Sequence, residues 1–419
     1  MTLRLIRRNR SFRLLISGAA AANLGDGIAA LALPWLATLI SRDPFHIAAV
    51  AFATRLPWFL LALPVGVITD RADRQALMFR ADLARVVLSF GIVALILGAP
   101  ALPLADGDGS ATRLIWIIAA LAFALGTAEV FRDNAAQTVL PMLVEARDLE
   151  TANGQIWSVE QVMGAFVGPP LAGLLIALAL PLPFSFNALA FGLAALSVWA
   201  IAFPARVLPA IRTGFWVEMR DGLAWMFAHR IILQLAVMLG LLNALHVGAA
   251  TFLVLFSQEI LGLGAFGHGL ILTAGAAGGV LGGLICPTIA ARLGPRHSLR
   301  LALAVMPLSY LAIFLTSSAG VVAAGEFLGI FAGMLWNVVT VSYRQRFIPS
   351  AILGRVNAIY RFFGWGMMPV GALLAGVLVA QIEPGLGREA ALRAPFLAAS
   401  LGLAGMFLYG IGFLRLGRP

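Results

Sequence analysis

The chain contains no lysine, a single cysteine and few charges of either sign. Charged residues make up 11% of its 419 residues, where a soluble domain carries about a quarter. A water-facing surface large enough for a soluble fold of this length is therefore excluded. The lone Cys286 excludes an intramolecular disulfide and any cysteine metal site, and it reads as a small packing residue. No G-x-x-x-x-G-K-S/T loop, H-E-x-x-H pair or G-x-S-x-G elbow is present. An ATP-driven machine and the commoner hydrolase sites are thus unexpected, as are a metal and any other cofactor. The period-two alternation of a barrel strand is missing too.

Long apolar runs fill the space. Hydrophobic residues are 61% of the chain and mean hydropathy is +0.95. A hydrocarbon core of roughly 30 Å is crossed by about 20 helical residues, and backbone groups in lipid must be satisfied within the segment, which favours helices. About twelve runs qualify. In the first half they span 14–40, 46–69, 84–103, 114–131, 155–178 and 184–203, and in the second 231–256, 267–290, 301–317, 320–341, 358–379 and 395–414. The expected fold is an all-α membrane protein of twelve transmembrane helices in two six-helix, pseudo-symmetric bundles. No cleavable signal peptide is evident, because the first run is long enough to continue as a span.

The net charge of +10 rests on 29 arginines and 19 acidic residues, but the arginines follow the membrane and form no single patch, so nucleic acid is not an expected partner. With the N-terminus in the cytoplasm, twenty arginines fall on that side, among them Arg4, Arg7, Arg74, Arg296, Arg344 and Arg415. Only Arg42, Arg113, Arg388 and Arg393 fall opposite. Cytoplasmic loops gather positive charge, so both termini are expected in the cytoplasm.

Between the halves, 204–230 mixes Phe215, Trp216, Met219, Leu223 and Trp225 with Glu218, Arg220 and Asp221. It reads as an amphipathic helix on the cytoplasmic membrane surface, or else as a solvated connector. The expected organisation is bundle 1–203, linker 204–230 and bundle 231–419. Leu149 and Asn153 precede the fifth span as Leu353 and Asn357 precede the eleventh. Duplicated halves with a substrate site between them near mid-membrane characterise many secondary transporters.

The loop after the second span reads Gly66-Val67-Ile68-Thr69-Asp70-Arg71-Ala72-Asp73-Arg74. It resembles the G-x-L-a-D-r-x-G-r signature of the major facilitator superfamily. Gly66 would allow close helix approach, and Asp70, with Arg71 and Arg74 beside it, would latch one conformational state, or else the loop is a basic topogenic turn. In the fifth span, Gly164 through Gly173 includes Gly168-Pro169-Pro170 and is similar to the G-x-x-x-G-P-x-x-G-G motif of the superfamily's drug/proton antiporters. Asp82-Leu83-Ala84-Arg85, Arg55-Leu56-Pro57 and Gly354-Arg355-Val356-Asn357 extend the likeness to the bacterial branch holding macrolide efflux pumps and the enterobactin exporter.

Ionisable groups inside spans are functional candidates by default. Asp26, one turn from Asn23, reads as a proton-coupling or cationic-substrate site, or as a structural carboxylate paired with Arg55 or capping a broken helix. Glu160 shares a helical stripe with Asn153, Trp157, Gly164 and Gly168, and Glu326 one with Gly329, Gly333 and Asn337. Arg361 interrupts the eleventh span. These three charges would touch substrate or proton, or make interhelical ion pairs. His246, with Asn243, reads as a proton relay or a packed histidine. Glu129, Arg132 and Asp133 cluster at the cytoplasmic end of the fourth span, and Trp35, Trp58, Trp157 and Trp336 are aromatic candidates for an amphipathic substrate.

These readings point to a monomeric secondary transporter in a bacterial inner membrane. It would export an amphipathic small molecule (a drug, macrolide-like compound or siderophore) by alternating access, with protons moving in return. An uncoupled or differently coupled facilitator of a metabolite or lipid-like solute is the alternative, and a membrane-embedded enzyme or a non-transporting sensor is a more remote one.

Overall fold

A computed structural model describes residues 3–104, 109–145, 148–203, 215–349 and 352–414. The described residues hold helices and no strands. After a short α1 (Leu3–Arg8) come α2 (Arg10–Ile40), α3 (Pro44–Arg71), α4 (Arg74–Gly98) and α5 (Ser110–Leu143). The fifth crossing is α6 (Leu149–Glu160), a π-helical stretch (Gln161–Val167) and α7 (Gly168–Leu178), followed by α8 (Leu182–Trp199). Then come α9 (Phe215–Ala228), α10 (Arg230–Glu259), α11 (Ala265–Leu315), α12 (Ala319–Phe347) and α13 (Leu353–Phe413).

Among the described residues, ten helical stretches are long and apolar enough to cross a membrane. Two of them, α11 with 51 residues and α13 with 61, run through a glycine at positive φ, Gly294 (75°) and Gly387 (83°). An L side chain rarely adopts that backbone, whereas glycine does so without a Cβ clash. Split at these kinks, the ten stretches supply twelve crossings.

Local chemistry sets the helix starts. Asn9, Asp43 and Asp73 each turn a side-chain oxygen onto a free amide of the following first turn, at Phe12, Phe45 and Ala76. Asp73 thereby starts α4 ten residues ahead of the apolar run that announces it. Gln75 caps the other end of a helix: its Nε2 donates to the carbonyls of Val198, Trp199 and Ile201 at 3.0–3.2 Å, where α8 runs out of intrahelical donors.

The chain divides into two compact units, Met1–Leu208 with Leu263–Thr273, and Pro209–Gly262 with Ala274–Pro419. In the first, Phe12, Leu15, Met78, Val139, Leu140 and Val198 form a buried cluster where α2, α4, α5 and α8 meet. In the second, α10 and α13 pack backbone to backbone: a methyl on Gly240 would lie 2.8 Å from the Phe363 carbonyl, and one on Gly248 3.0 Å from that of Gly371. Without water in the bilayer to drive association, such small-residue contacts let dispersion and weak polar contacts hold helices together.

The expected interdomain helix lies partly outside the described residues, at 204–214. Its visible part, α9, is anchored to the second unit. Met226 is fully buried, Trp225 stacks on His229 at 3.8 Å, and Phe347 packs edge-on against both rings.

Candidate functional site

The first unit gathers charge where a bilayer protein has least reason to keep it. Asp82 and Arg85 sit one turn apart on α4, 0% and 1% exposed, and Arg132 on α5 is 3% exposed. Arg85 makes an ion pair with Asp26 of α2 through Nη2 and reaches Asp82 with Nη1 at 3.5 Å. Its guanidinium also lies 3.8 Å from the centre of the Phe191 ring on α8, and Phe191 in turn fills the space left by Gly25 beside Asp26. Arg132 bonds Asp133 at 3.2 Å and faces Asp82 at 3.9 Å. Glu129, one turn before Asp133 on α5, lies within electrostatic reach of Arg85, Arg55 and Asp133. Glu160, where α6 passes into the π-helical stretch, faces Arg132 and Asp133.

The balance is unequal. Asp26, Asp82, Glu129, Asp133 and Glu160 bring five carboxyls against the guanidiniums of Arg85, Arg132 and Arg55. Pairing is incomplete as well: Asp82 Oδ2, Arg85 Nε and Arg132 Nη2 are buried without a hydrogen-bond partner among the described residues. Unpaired buried charge costs several kcal/mol per ion, so a mobile cation or proton is the natural complement of the excess. The Asp26 side chain is 27% exposed, which gives the cluster a route to the surface.

Against this wall of charge, α2 and the fifth crossing touch backbone to backbone. A methyl on Gly168 would lie 2.6 Å from Gly27 Cα, one on Gly27 would collide with the Gly164 carbonyl, and one on Gly164 would already meet the Asn23 carbonyl at 3.4 Å. Further along, Gly173 accepts Ala265 and Phe266, and Gly269 lies on the Pro169 carbonyl. The Gly-Pro stretch is thus a packing surface with a π-helical turn at its start, a form of local strain that often accompanies function.

The sequence fits the profile of transmembrane secretion effectors over residues 6–408. The chain belongs to the transmembrane secretion effector family. This family lies within the major facilitator superfamily, and its members are transporters. The multidrug efflux pump Tap of Mycobacterium tuberculosis is 27% identical to the chain over 414 residues, covering 94% of the chain and 91% of Tap. The nucleoside transporter NupG superposes with a TM-score of 0.75 at 12% identity, over 96% of the chain and 100% of that structure. A bacterial homologue of the iron transporter ferroportin gives 0.71 at 19% identity, over 96% and 99%. At these identities the two structures establish the major facilitator fold.

Within this transporter, several sequence expectations are corrected. Asp26 pairs with Arg85, and Arg55, placed beside Glu129, is not its partner. Asn23 turns its amide back to the Ala19 carbonyl at 2.9 Å, satisfying its own helix. The stripe through Glu160 is broken, because π-helical winding from Gln161 to Val167 changes the register of Gly164 and Gly168. Glu129, Arg132 and Asp133 lie inside α5, which continues as helix to Leu143. Arg344, counted among the cytoplasmic-side arginines, is buried in α12, stacks 3.6 Å over the Tyr360 ring and donates to Asn357.

The remaining sites scatter. Glu326 is buried whereas Asn337, on the same stripe, is exposed. Arg361 is exposed beside the Trp365 ring, and Trp336 and Trp35 belong to the core. In the loop signature, Gly66 meets nothing within 4 Å, so the close approach expected there is not seen among the described residues. The side chains of Asp70 and Arg71 lie outside the described residues. Arg74 spans to α5, donating to the Thr138 carbonyl and to Met142 Sδ, both at 3.1 Å. The one-turn Asp82–Arg85 spacing could have flagged the cluster, had the third span been started early enough to include both.

Proposed function

We propose that the protein exports an amphipathic small molecule from the bacterial cytoplasm by alternating access, in exchange for protons. The observation that carries the coupling is the excess of carboxyl over guanidinium groups around the Asp26–Arg85 pair. Protonating Asp26 removes the charge that holds Arg85. Arg85 then shifts its bond to Asp82 or Glu129, and α2 is released from α4. A cationic or polar substrate reaching Asp26 competes for the same carboxylate, so proton and substrate alternate on one group. Likeness to a pump named for multidrug efflux supports export and a drug-like substrate. The twenty-to-four distribution of arginines supports cytoplasmic termini and an inner-membrane location.

Proteoliposomes loaded with ethidium, a lipophilic cation, test this reading. Asp26→Asn is expected to abolish ethidium efflux driven by a pH gradient while the protein still folds and reconstitutes. Unchanged gradient-driven efflux in the variant would remove Asp26 from the coupling.

A further inference from the structure

The sixth and twelfth spans end on the same local problem, and the two halves solve it with different charge. The last carbonyls of a helix find no amide donor within their own helix, so a neighbouring side chain supplies one. In the first half the donor is Gln75 at the start of α4, neutral and engaged by three carbonyls at the end of α8. In the second half it is Arg300, on the leg of α11 that follows Gly294. Arg300 gives one bond there, from Nη2 to the Ile411 carbonyl of α13 at 3.2 Å. Its Nε is buried with no partner among the described residues. The guanidinium, always charged and rich in donors, is left with most of them unused.

Arg296 stands one helical turn before Arg300. It is exposed and has no acidic partner among the described residues. Arg296, Leu299, Arg300 and Leu303 form one wall of a shallow cleft whose other wall is Gly410 and Leu414 at the end of α13. The walls meet at Leu303, where a methyl on Gly410 would lie 2.9 Å from Cδ1, so the charge lies toward the Gly294 end. Like charges one turn apart repel each other, and an anion between them reverses that cost. Leu301, Leu408 and Phe413, next in sequence to the two walls, are exposed. In a chain that spans a bilayer, such apolar side chains face acyl tails. Two cations without acidic partners thus stand beside a lipid-facing surface.

We propose that this cleft binds the phosphate of an anionic phospholipid. Guanidiniums match phosphate oxygens in a planar fork, and here two of them address one group while the exposed apolar residues receive its acyl chains. Basic pockets between transmembrane helices on the cytoplasmic side suit such head groups, and the arginine distribution supports that side for this end of α11. A free phosphate ion meets the same arginines but gains nothing from the apolar border. The site involves neither Asp26 nor the exported solute, so it can fail while the export reading stands, and the reverse.

Native mass spectrometry of the purified full-length protein in detergent, with phosphatidylglycerol or phosphatidylcholine added, counts retained lipid. Phosphatidylglycerol is expected to bind more tightly than phosphatidylcholine, whose choline cancels the phosphate charge. Arg296→Gln and Arg300→Gln should each weaken phosphatidylglycerol binding about fivefold. Both variants should fold, because Arg300→Gln keeps a donor for the Ile411 carbonyl, as Gln75 does in the first half, and Arg296 is exposed. Arg292→Gln, exposed just before Gly294 and outside the cleft, should bind as the wild type does. Equal losses in all three variants, or no loss at Arg296 and Arg300, would overturn the site. Inorganic phosphate at millimolar concentration displacing phosphatidylglycerol would overturn it too, because the cleft would then take the free ion.

Discussion

Arg85 is the residue on which the first unit's charge depends. It holds Asp26 and Asp82 at once and stacks on Phe191, so its removal leaves Asp26 without its ion-pair partner and Asp82 with only Arg132 at 3.9 Å. Breaking a buried pair by removing one partner costs about 3–5 kcal/mol. Arg85→Met is expected to lower stability by about that amount, read as a drop in unfolding temperature in detergent. Arg85→Lys keeps the charge but loses the planar fork that serves two carboxylates and a ring, and should fall between the two. Equal stability of all three proteins would show that the pair contributes nothing. At this scale the sequence marks which residues carry charge within a span, and Asp26, Glu160 and Glu326 are legible for that reason. It does not mark partners. The choice of Arg85 over Arg55 follows from how α2 and α4 each pack against α8, and neither spacing nor hydropathy encodes that.

Among the elements, the contact between α2 and the fifth crossing is the tightest constraint on the site. Gly27→Ala drives a methyl into the Gly164 backbone, where nothing flexible can yield. A cost of about 1–3 kcal/mol is expected, as for other overpacked positions, together with reduced yield of folded protein. Gly66→Ala meets no neighbour within 4 Å and should be neutral in the same thermal assay. If the two variants behave alike, the packing described for Gly27 is wrong. The apolar runs made the helices legible because lipid requires long uninterrupted ones. Their ends were less so: a capping aspartate such as Asp73 starts α4 before its sequence turns apolar. The π-helical stretch from Gln161 to Val167 is invisible to a stripe counted at 3.6 residues per turn, so the stripe places Glu160 toward protein but does not carry its register on to Gly164 and Gly168.

For the whole molecule, membership of a transporter family and the major facilitator fold place the charge clusters in a protein built to move solutes. Twelve crossings, obtained from ten helical stretches by two glycine kinks, were legible as twelve apolar runs. Substrate identity was not, because fold and family leave it to the side chains that meet the solute. The central claim is that solute export and proton entry are one coupled event. Proton flux in reconstituted proteoliposomes, followed with an entrapped pH-sensitive dye while ethidium, a macrolide and a siderophore are added in turn, tests it most directly. The account predicts proton movement evoked by one of these solutes in the wild type and lost in Asp26→Asn. Solute movement with no accompanying proton flux would contradict it and identify a facilitator.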